Sequence, residues 1–154
     1  MFDGVMNYQF AMAAQDFFVG PGVDITNLTI LQPSDLLTAI RIPGAWASKQ
    51  FYFEKVRDRQ VWDFALVNIA SAITASGNTI GDVRMVVNGV AARPHRLEAV
   101  ESFLKGKARN AQTADQAAEI AVQGAVPLRH NAYKVPLVKA LVKRAIRGAD
   151  EWTS

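Results

Sequence analysis

Residue types that commonly carry catalysis or bind metals are few and scattered in this sequence. The chain has no cysteine, which excludes disulfides, a thiolate nucleophile and cysteine-ligated zinc or iron–sulfur sites. Its two histidines, His95 and His130, lack the spacing of a zinc site and are expected at the surface or at helix starts. No Gly-x-Ser-x-Gly elbow, Gly-x-Gly-x-x-Gly fingerprint or P-loop occurs. The residues alone therefore predict neither side-chain catalysis nor a self-contained phosphate site.

Two charged segments are candidates for binding anions. Residues 57–59 read Arg-Asp-Arg after a predicted strand, and form either a solvated rim or a corner that faces an anion. Residues 129–147 contain no Asp or Glu, and one predicted helix face there carries Lys139, Lys143, Arg144 and Arg147. No aromatic platform accompanies these cations, so a solvated face or a subunit contact is favoured and nucleic-acid binding is judged unlikely.

Length and composition indicate a globular protein with one sizeable core. The chain has 154 residues, half of them apolar and a fifth charged, with a net charge of +3. No apolar run reaches the ~18 residues of a membrane helix, and no signal peptide is evident. A cytoplasmic protein without membrane contact is therefore expected.

The elements that must position any site begin with a predicted β-hairpin. Residues 51–56 alternate as a strand does, and residues 64–75 fit either a helical face or the buried face of a strand that includes Ala75. A Ser-Gly-Asn turn follows at residues 76–78, and Val83, Met85 and Val87 then alternate with polar residues. Two runs joined by a glycine turn favour the hairpin, so 64–75 is interpreted as a strand. Asn88-Gly89 then predicts a sharp corner.

Three helices are predicted after this corner. The first begins near Pro94 and stops at Gly106, and the second has a capping box formed by Thr113 and Gln116. The third runs from Val135–Pro136 to Gly148 with one apolar stripe. The expected fold is α+β, with a three-stranded antiparallel sheet packed against three helices.

The region before the sheet is predicted to be a separate piece of structure. Residues 1–20 are aromatic and Met-rich without a clean period, which indicates packing on its own domain or on a partner. A turn is predicted at residues 20–22, a helical turn at Pro33 and a short strand at residues 40–42 ended by Pro43. The predicted domains are therefore 1–43 and 44–154.

An ordered series of short motifs carries a family resemblance. The motifs are Asp16-Phe17-Phe18-Val19-Gly20-Pro21-Gly22, Leu31-Gln32-Pro33-Ser34-Asp35-Leu36-Leu37, Lys55, Asp63-Phe64-Ala65, Asp82-Val83-Arg84, Asn88-Gly89-Val90-Ala91, Pro94, Arg96, Glu101, Leu104, Gly106, Pro127-Leu128 and Tyr133-Lys134. Together they resemble the C-terminal domain of the FAD-binding (medium) subunit of molybdenum hydroxylases, the xanthine dehydrogenase, aldehyde oxidoreductase and carbon monoxide dehydrogenase group. The family's usual corner is Gly-Gly-Val-Ala-Pro, from which Asn88 and Ala92 depart.

The resemblance implies an oxidoreductase subunit that transfers electrons. Electrons would pass from iron–sulfur clusters through FAD to an acceptor, with the molybdenum cofactor and the iron–sulfur clusters held by partner subunits. Residues 1–43 would be the tail of an FAD-binding domain. The family's glycine-rich phosphate loops precede this stretch, so the FAD would be shared with a separate or missing FAD-domain chain. The alternative is a non-catalytic assembly module that has lost flavin.

The resemblance also implies which residues form one wall of the flavin site. Lys55 would offer a cation or donor, Asp63 would fix the local backbone, and Trp62 or Phe64 would pack near the ring. Leu37, in the tail of the FAD domain, is the fifth expected cofactor-binding residue. For Phe64 the competing interpretation is the buried start of an apolar strand.

Overall fold

The structure, a computed structural model, describes residues 10–148, which fall into two units, 10–38 and 39–148. Residues 1–9 of the predicted aromatic segment and the tail predicted after Gly148 lie outside the described residues. Among residues 10–148, no helix is both long and apolar enough to cross a membrane.

The first unit is a short helix followed by loops that fold back on it. The helix, α1, spans Ala14–Phe17, and a β-bridge joins Phe18 to Thr29. The turn predicted at residues 20–22 is present. Hydrogen bonds from Asn27 and then Thr26 hold the pKa of the Asp24 carboxyl well below its usual range, which keeps the turn capped by a charged acceptor.

The second unit contains one four-stranded antiparallel sheet. Its strands are β1 (Gln50–Val56), β2 (Val67–Ser76), β3 (Thr79–Asn88) and β4 (His95–Arg96), ordered β1-β2-β3-β4. Three helices follow: α2 (Glu98–Leu104), α3 (Ala111–Ala121) and α4 (Lys134–Arg147). The predicted α+β class, the antiparallel sheet and the three helices are confirmed.

The core lies between one face of the sheet and the helices. Alternate residues of β2 and β3 face inwards, as the period of two requires, and the helices supply the opposing side chains. Fully buried members of this core are Val67, Ile69, Ile73, Ile80, Val83, Met85, Val87, Val100, Leu104, Leu141 and Val142. Ala75, predicted on the buried face, is exposed, because the β2–β3 register shifts between Ile73 and Ala75.

Two predictions around β4 and α2 are wrong. The sheet has four strands rather than three, since His95 and Arg96 pair with Val87 and Val86. The helix begins at Glu98 rather than near Pro94, because this two-residue strand occupies the intervening backbone. The hydrogen bond from Leu97 N to Met85 O, 2.9 Å long, continues that pairing up to the helix start.

Two further local predictions are also wrong. The strand predicted at residues 40–42 is absent: Ile40 and Ile42 are exposed and make no ladder, so nothing stabilises an extended pair there. The cap of α3 is Asn110, whose side chain accepts a hydrogen bond from Thr113 N at 2.8 Å. Thr113 itself is buried inside the helix, so the capping box does not form.

The Asn88-Gly89 corner forms as predicted and requires glycine at its second position. Gly89 has φ +78°, a conformation that side chains disfavour, and a Cβ there would lie 2.9 Å from Leu66 O. The Asn88 side chain accepts a hydrogen bond from Gly89 N at 2.8 Å, and Lys134 Nζ donates to Gly89 O at 2.5 Å. The corner thereby joins the end of β3 to the first turn of α4.

Candidate functional site

The connection between β1 and β2, residues 57–66, forms an open depression of about 570 Å³. Its lining contains both cations and large apolar side chains: Lys55, Arg57, Gln60, Val61, Trp62, Asp63 and Phe64. Four of the five residues predicted for the flavin wall are therefore brought together. The fifth, Leu37, lies in the first unit, which is described by itself, and its side chain is exposed.

Lys55 is near the end of β1, where its register partner is Asn68 of β2. Its ammonium donates to the backbone carbonyl of Asp63 across the loop, with Nζ 2.5 Å from the oxygen. The Asp63 carboxylate in turn accepts from Arg59 N at 3.1 Å and lies 3.5 Å from Arg59 Nε. These contacts hold the loop in one shape, and a lysine ammonium with three donors keeps two for other partners.

Trp62 and Phe64 are the aromatic side chains of the depression and are almost wholly uncovered. Their exposed fractions are 104% for Trp62 and 93% for Phe64. The interpretation of Phe64 as the buried start of a strand is wrong, because β2 begins three residues later at Val67. Large apolar side chains in solvent indicate a surface that another molecule covers.

The sequence reasoning missed three of the lining residues, Arg57, Gln60 and Val61. Arg57 belongs to the charged cluster that had two open interpretations, and it lines the depression. Among residues 10–148 no hydrogen bond or ion pair of its side chain is present, so its charge is available to a partner. The signal for all three was the length of the connection: ten residues between adjacent antiparallel strands is well above the usual ~2–5, and such loops are often functional.

The basic face of α4 is engaged by carboxylates within the chain. Lys139 Nζ lies 2.6 Å from Glu119, Lys143 Nζ lies 2.7 Å from Asp115, and Arg144 lies 3.0 Å from Glu54. The acids come from α3 and β1, which lie far away in sequence, so the acid-free run at residues 129–147 concealed them. Paired cations attract nucleic acid less than free ones do, which favours the solvated-face interpretation.

Glu54 also connects this ion pair to β1. The Tyr52 hydroxyl donates a hydrogen bond to Glu54 Oε2, while Arg144 pairs with Glu54 Oε1. Burial, and then the carboxylate, raises the pKa of the Tyr52 phenol to about 12. The strand that carries Lys55 is therefore fixed to α4 from its inner face.

Metal binding has no set of ligands in the part of the chain that the structure describes. Across residues 10–148, no group of three His, Asp or Glu side chains is close enough to hold an ion.

The fold of the second unit is that of a known family of flavoprotein domains. Residues 51–149 match the CO dehydrogenase flavoprotein C-terminal domain, and the chain belongs to that family. The predicted family resemblance is thereby confirmed.

Individual relatives agree with this assignment. The chain is 31% identical to the carbon monoxide dehydrogenase medium chain of Hydrogenophaga pseudoflava over 147 residues, which cover 93% of this chain and 49% of that protein. It is 33% identical to the aldehyde oxidoreductase FAD-binding subunit of Escherichia coli over 124 residues, covering 80% of this chain and 36% of that one. The chain thus spans about half or less of the length of these relatives.

A solved structure shows the same fold. The carbon monoxide dehydrogenase of Hydrogenophaga pseudoflava that lacks the Mo-pyranopterin moiety of its molybdenum cofactor superposes with a TM-score of 0.75 and 29% identity. The superposition covers 88% of this chain and 46% of that one.

Proposed function

We propose that this chain is a component of the FAD-binding subunit of a molybdenum hydroxylase, and that the β1–β2 depression is one wall of its flavin site. The observation that carries the proposal is the pair of uncovered aromatic rings, Trp62 and Phe64, beside the Lys55 ammonium in a domain of this family. FAD, when bound, supplies the electron transfer, and the chain supplies placement and electrostatics.

The residues present suit a flavin on one side. A flavin ring is flat and aromatic with polar atoms along its edge, so a wall for it needs aromatic surface and hydrogen-bond donors. Trp62 and Phe64 supply the surface, because their rings are in solvent and not committed to the core. Lys55 and Arg57 supply donors and positive charge, and Asp63 fixes the loop backbone through its contacts with Lys55 and Arg59.

We propose that the flavin site and its electron transfer require further components. A complete flavin site needs an FAD domain, to which Leu37 would contribute. Subunits that hold the molybdenum cofactor and the iron–sulfur clusters would deliver the electrons, and the proposed location is the cytoplasm. The family assignment and the similarity to medium-chain relatives support this arrangement.

The test is an absorbance spectrum of the complex purified from its native host through a tag on this chain. We expect the flavin bands, with one FAD for each copy of this chain. A colourless complex that contains this chain at full occupancy would refute flavin binding and leave the assembly-module alternative.

Point variants connect the flavin to the depression. Trp62→Ala should weaken FAD retention by about tenfold, since an aromatic contact contributes ~0.5–1.5 kcal/mol beyond its buried area. Phe53→Ala is the matched control, because Phe53 is an exposed aromatic of β1 that does not line the depression. Equal flavin loss in both variants would contradict the assignment of this wall.

A further inference from the structure

We infer that Lys55 acts as a positioning residue, whose ammonium closes the 57–66 loop through Asp63 O and so holds Trp62 in place. This deepens the proposed function and rests on it for the identity of what Trp62 contacts. The clamp itself, defined as Lys55, Arg59 and Asp63, is a property of the chain alone and can be tested without flavin.

The clamp ties the loop at two points. Lys55 Nζ reaches Asp63 O at 2.5 Å, across eight residues of sequence, from a strand position fixed by pairing with β2. The Asp63 side chain then accepts from Arg59 N at 3.1 Å, and Asp63 N donates to Val61 O at 2.6 Å. Both the backbone and the side chain of Asp63 are used, so Asp63 joins the two arms of the loop.

Apart from the hydrogen bond from Leu66 N to Val56 O, 2.8 Å long, at its base, the loop has few other contacts that could order it. The large apolar side chains around its tip, Val61, Trp62 and Phe64, are exposed by 59% or more and provide little buried surface to anchor it. A ten-residue connection without helix or ladder must therefore be held by its polar contacts, since ordering each residue costs ~1–2 kcal/mol of backbone entropy. A loop ordered before binding loses less entropy when a ligand stacks on Trp62.

Arg57, the second cation of the depression, allows an effect of positive charge to be distinguished from an effect of the Lys55–Asp63 hydrogen bond. Arg57 lines the same depression as Lys55, but among residues 10–148 its side chain makes no hydrogen bond or ion pair. If Lys55 matters through its charge, loss of Arg57 should have similar effects. If Lys55 matters through Asp63 O, only loss of Lys55 should loosen the loop.

The first experiment is amide hydrogen exchange on the full chain in Lys55→Met, Lys55→Arg and Arg57→Met. We expect the amides of Arg59 and Asp63 to exchange about tenfold faster in Lys55→Met, which removes the charged donor that closes the loop. Arg57→Met should exchange at the parent rate. Lys55→Arg should restore most of the protection, because a guanidinium can also donate to a carbonyl.

The second readout is the motion of Trp62. In a parent chain with Trp46 and Trp152 replaced by Phe, time-resolved fluorescence anisotropy should show faster local motion of the remaining indole in Lys55→Met. It should be unchanged in Arg57→Met. Circular dichroism of each variant establishes that the sheet remains folded.

The possible outcomes distinguish failure of the positioning role of Lys55 from failure of the proposed flavin site. Parent-like exchange and anisotropy in Lys55→Met, or the same loosening in Arg57→Met, would overturn the positioning role. Loosening in Lys55→Met together with a colourless native complex would support the clamp and refute the proposed flavin site. In a flavin-containing complex, Lys55→Met should weaken FAD retention by about tenfold, and Lys55→Arg should rescue it.

Discussion

Glu101 is a buried carboxylate at the junction of β3, β4 and α2, and its replacement by Ala should destabilise the sheet. Its side chain is only 7% exposed, and its Oε1 accepts a hydrogen bond from Met85 N at 2.9 Å. Arg96 donates to both carboxylate oxygens, at 3.0 Å from Nε and 2.6 Å from its terminal nitrogen. These hydrogen bonds raise the pKa of Arg96 above its usual value. The Glu101 side chain thus adds to the backbone pairing that holds the short strand β4 against β3.

The size of the effect follows from the contacts that Glu101→Ala removes. Breaking a buried ion pair costs ~3–5 kcal/mol, and the lower end applies because the Arg96 side chain is 32% exposed and can be rehydrated. We therefore expect a loss of about 3 kcal/mol in unfolding free energy, or roughly 10 °C in Tm for a domain of this size. Glu101→Gln keeps an acceptor for Met85 N and should lose about half as much.

Urea unfolding of the full chain, followed by circular dichroism, measures this loss. Glu98→Gln is the matched control: Glu98 is on the same helix and lies 3.5 Å from the same Arg96, but it is 71% exposed. An exposed pair of this kind contributes ~0.5 kcal/mol or less. A loss below about 1 kcal/mol for Glu101→Ala, or an equal loss for Glu98→Gln, would refute this account of the junction.

Two further predictions concern the corner and the inner face. Gly89→Ala should lower the unfolding free energy by about 2 kcal/mol or more in the same urea assay, because φ is +78° and the new Cβ would lie 2.9 Å from Leu66 O. Gly44→Ala, which has open space around it, is the control and should be near neutral. Similar losses in both variants would contradict the requirement for glycine at position 89. Ultraviolet titration should show one tyrosine ionising at a pKa of about 12, absent in Tyr52→Phe. Because the folded pKa is above the unfolded value of 10.0, the stability that Tyr52 contributes is full below pH 10.0 and is lost as the pH rises towards about 12. A normal titration would contradict the burial of the Tyr52 phenol together with its hydrogen bond to Glu54.

The β2–β3 hairpin could be predicted from the sequence because its pattern lies within neighbouring residues. Val83, Met85 and Val87 alternate with polar residues, and a strand with one buried face has that period. The fourth strand has only two residues, too few for any period, and a proline before it suggested a helix start. The cap of α3 was predicted at Thr113, whereas Asn110 is the cap, because threonine and asparagine can both cap a helix and the backbone geometry decides which one does.

The candidate site was harder to predict from the sequence because it depends on contacts between residues that are distant in the chain. The resemblance identified Lys55, Trp62, Asp63 and Phe64 as a set, and the structure brings these four together in the depression, while their role towards a cofactor stays a prediction. Their mutual contacts could not be read from spacing, since a backbone carbonyl as the partner of Lys55 has no sequence signature. The acids that pair with the cations of α4 could not be predicted for the same reason, since they lie on other elements of the chain.

The glycine corner lies against the end of the loop, and the departure from the family pattern at Asn88 introduces no backbone strain. The end of the loop passes so close to Gly89 that an added Cβ would lie 2.9 Å from Leu66 O and 3.3 Å from Ala65 O, while Lys134 holds Gly89 O from α4. Asn88, where the family usually has glycine, is an extended strand residue without positive φ, so its side chain causes no strain and caps Gly89 N instead. A side chain one position later would press on the Leu66 carbonyl and displace the segment that leads to Trp62.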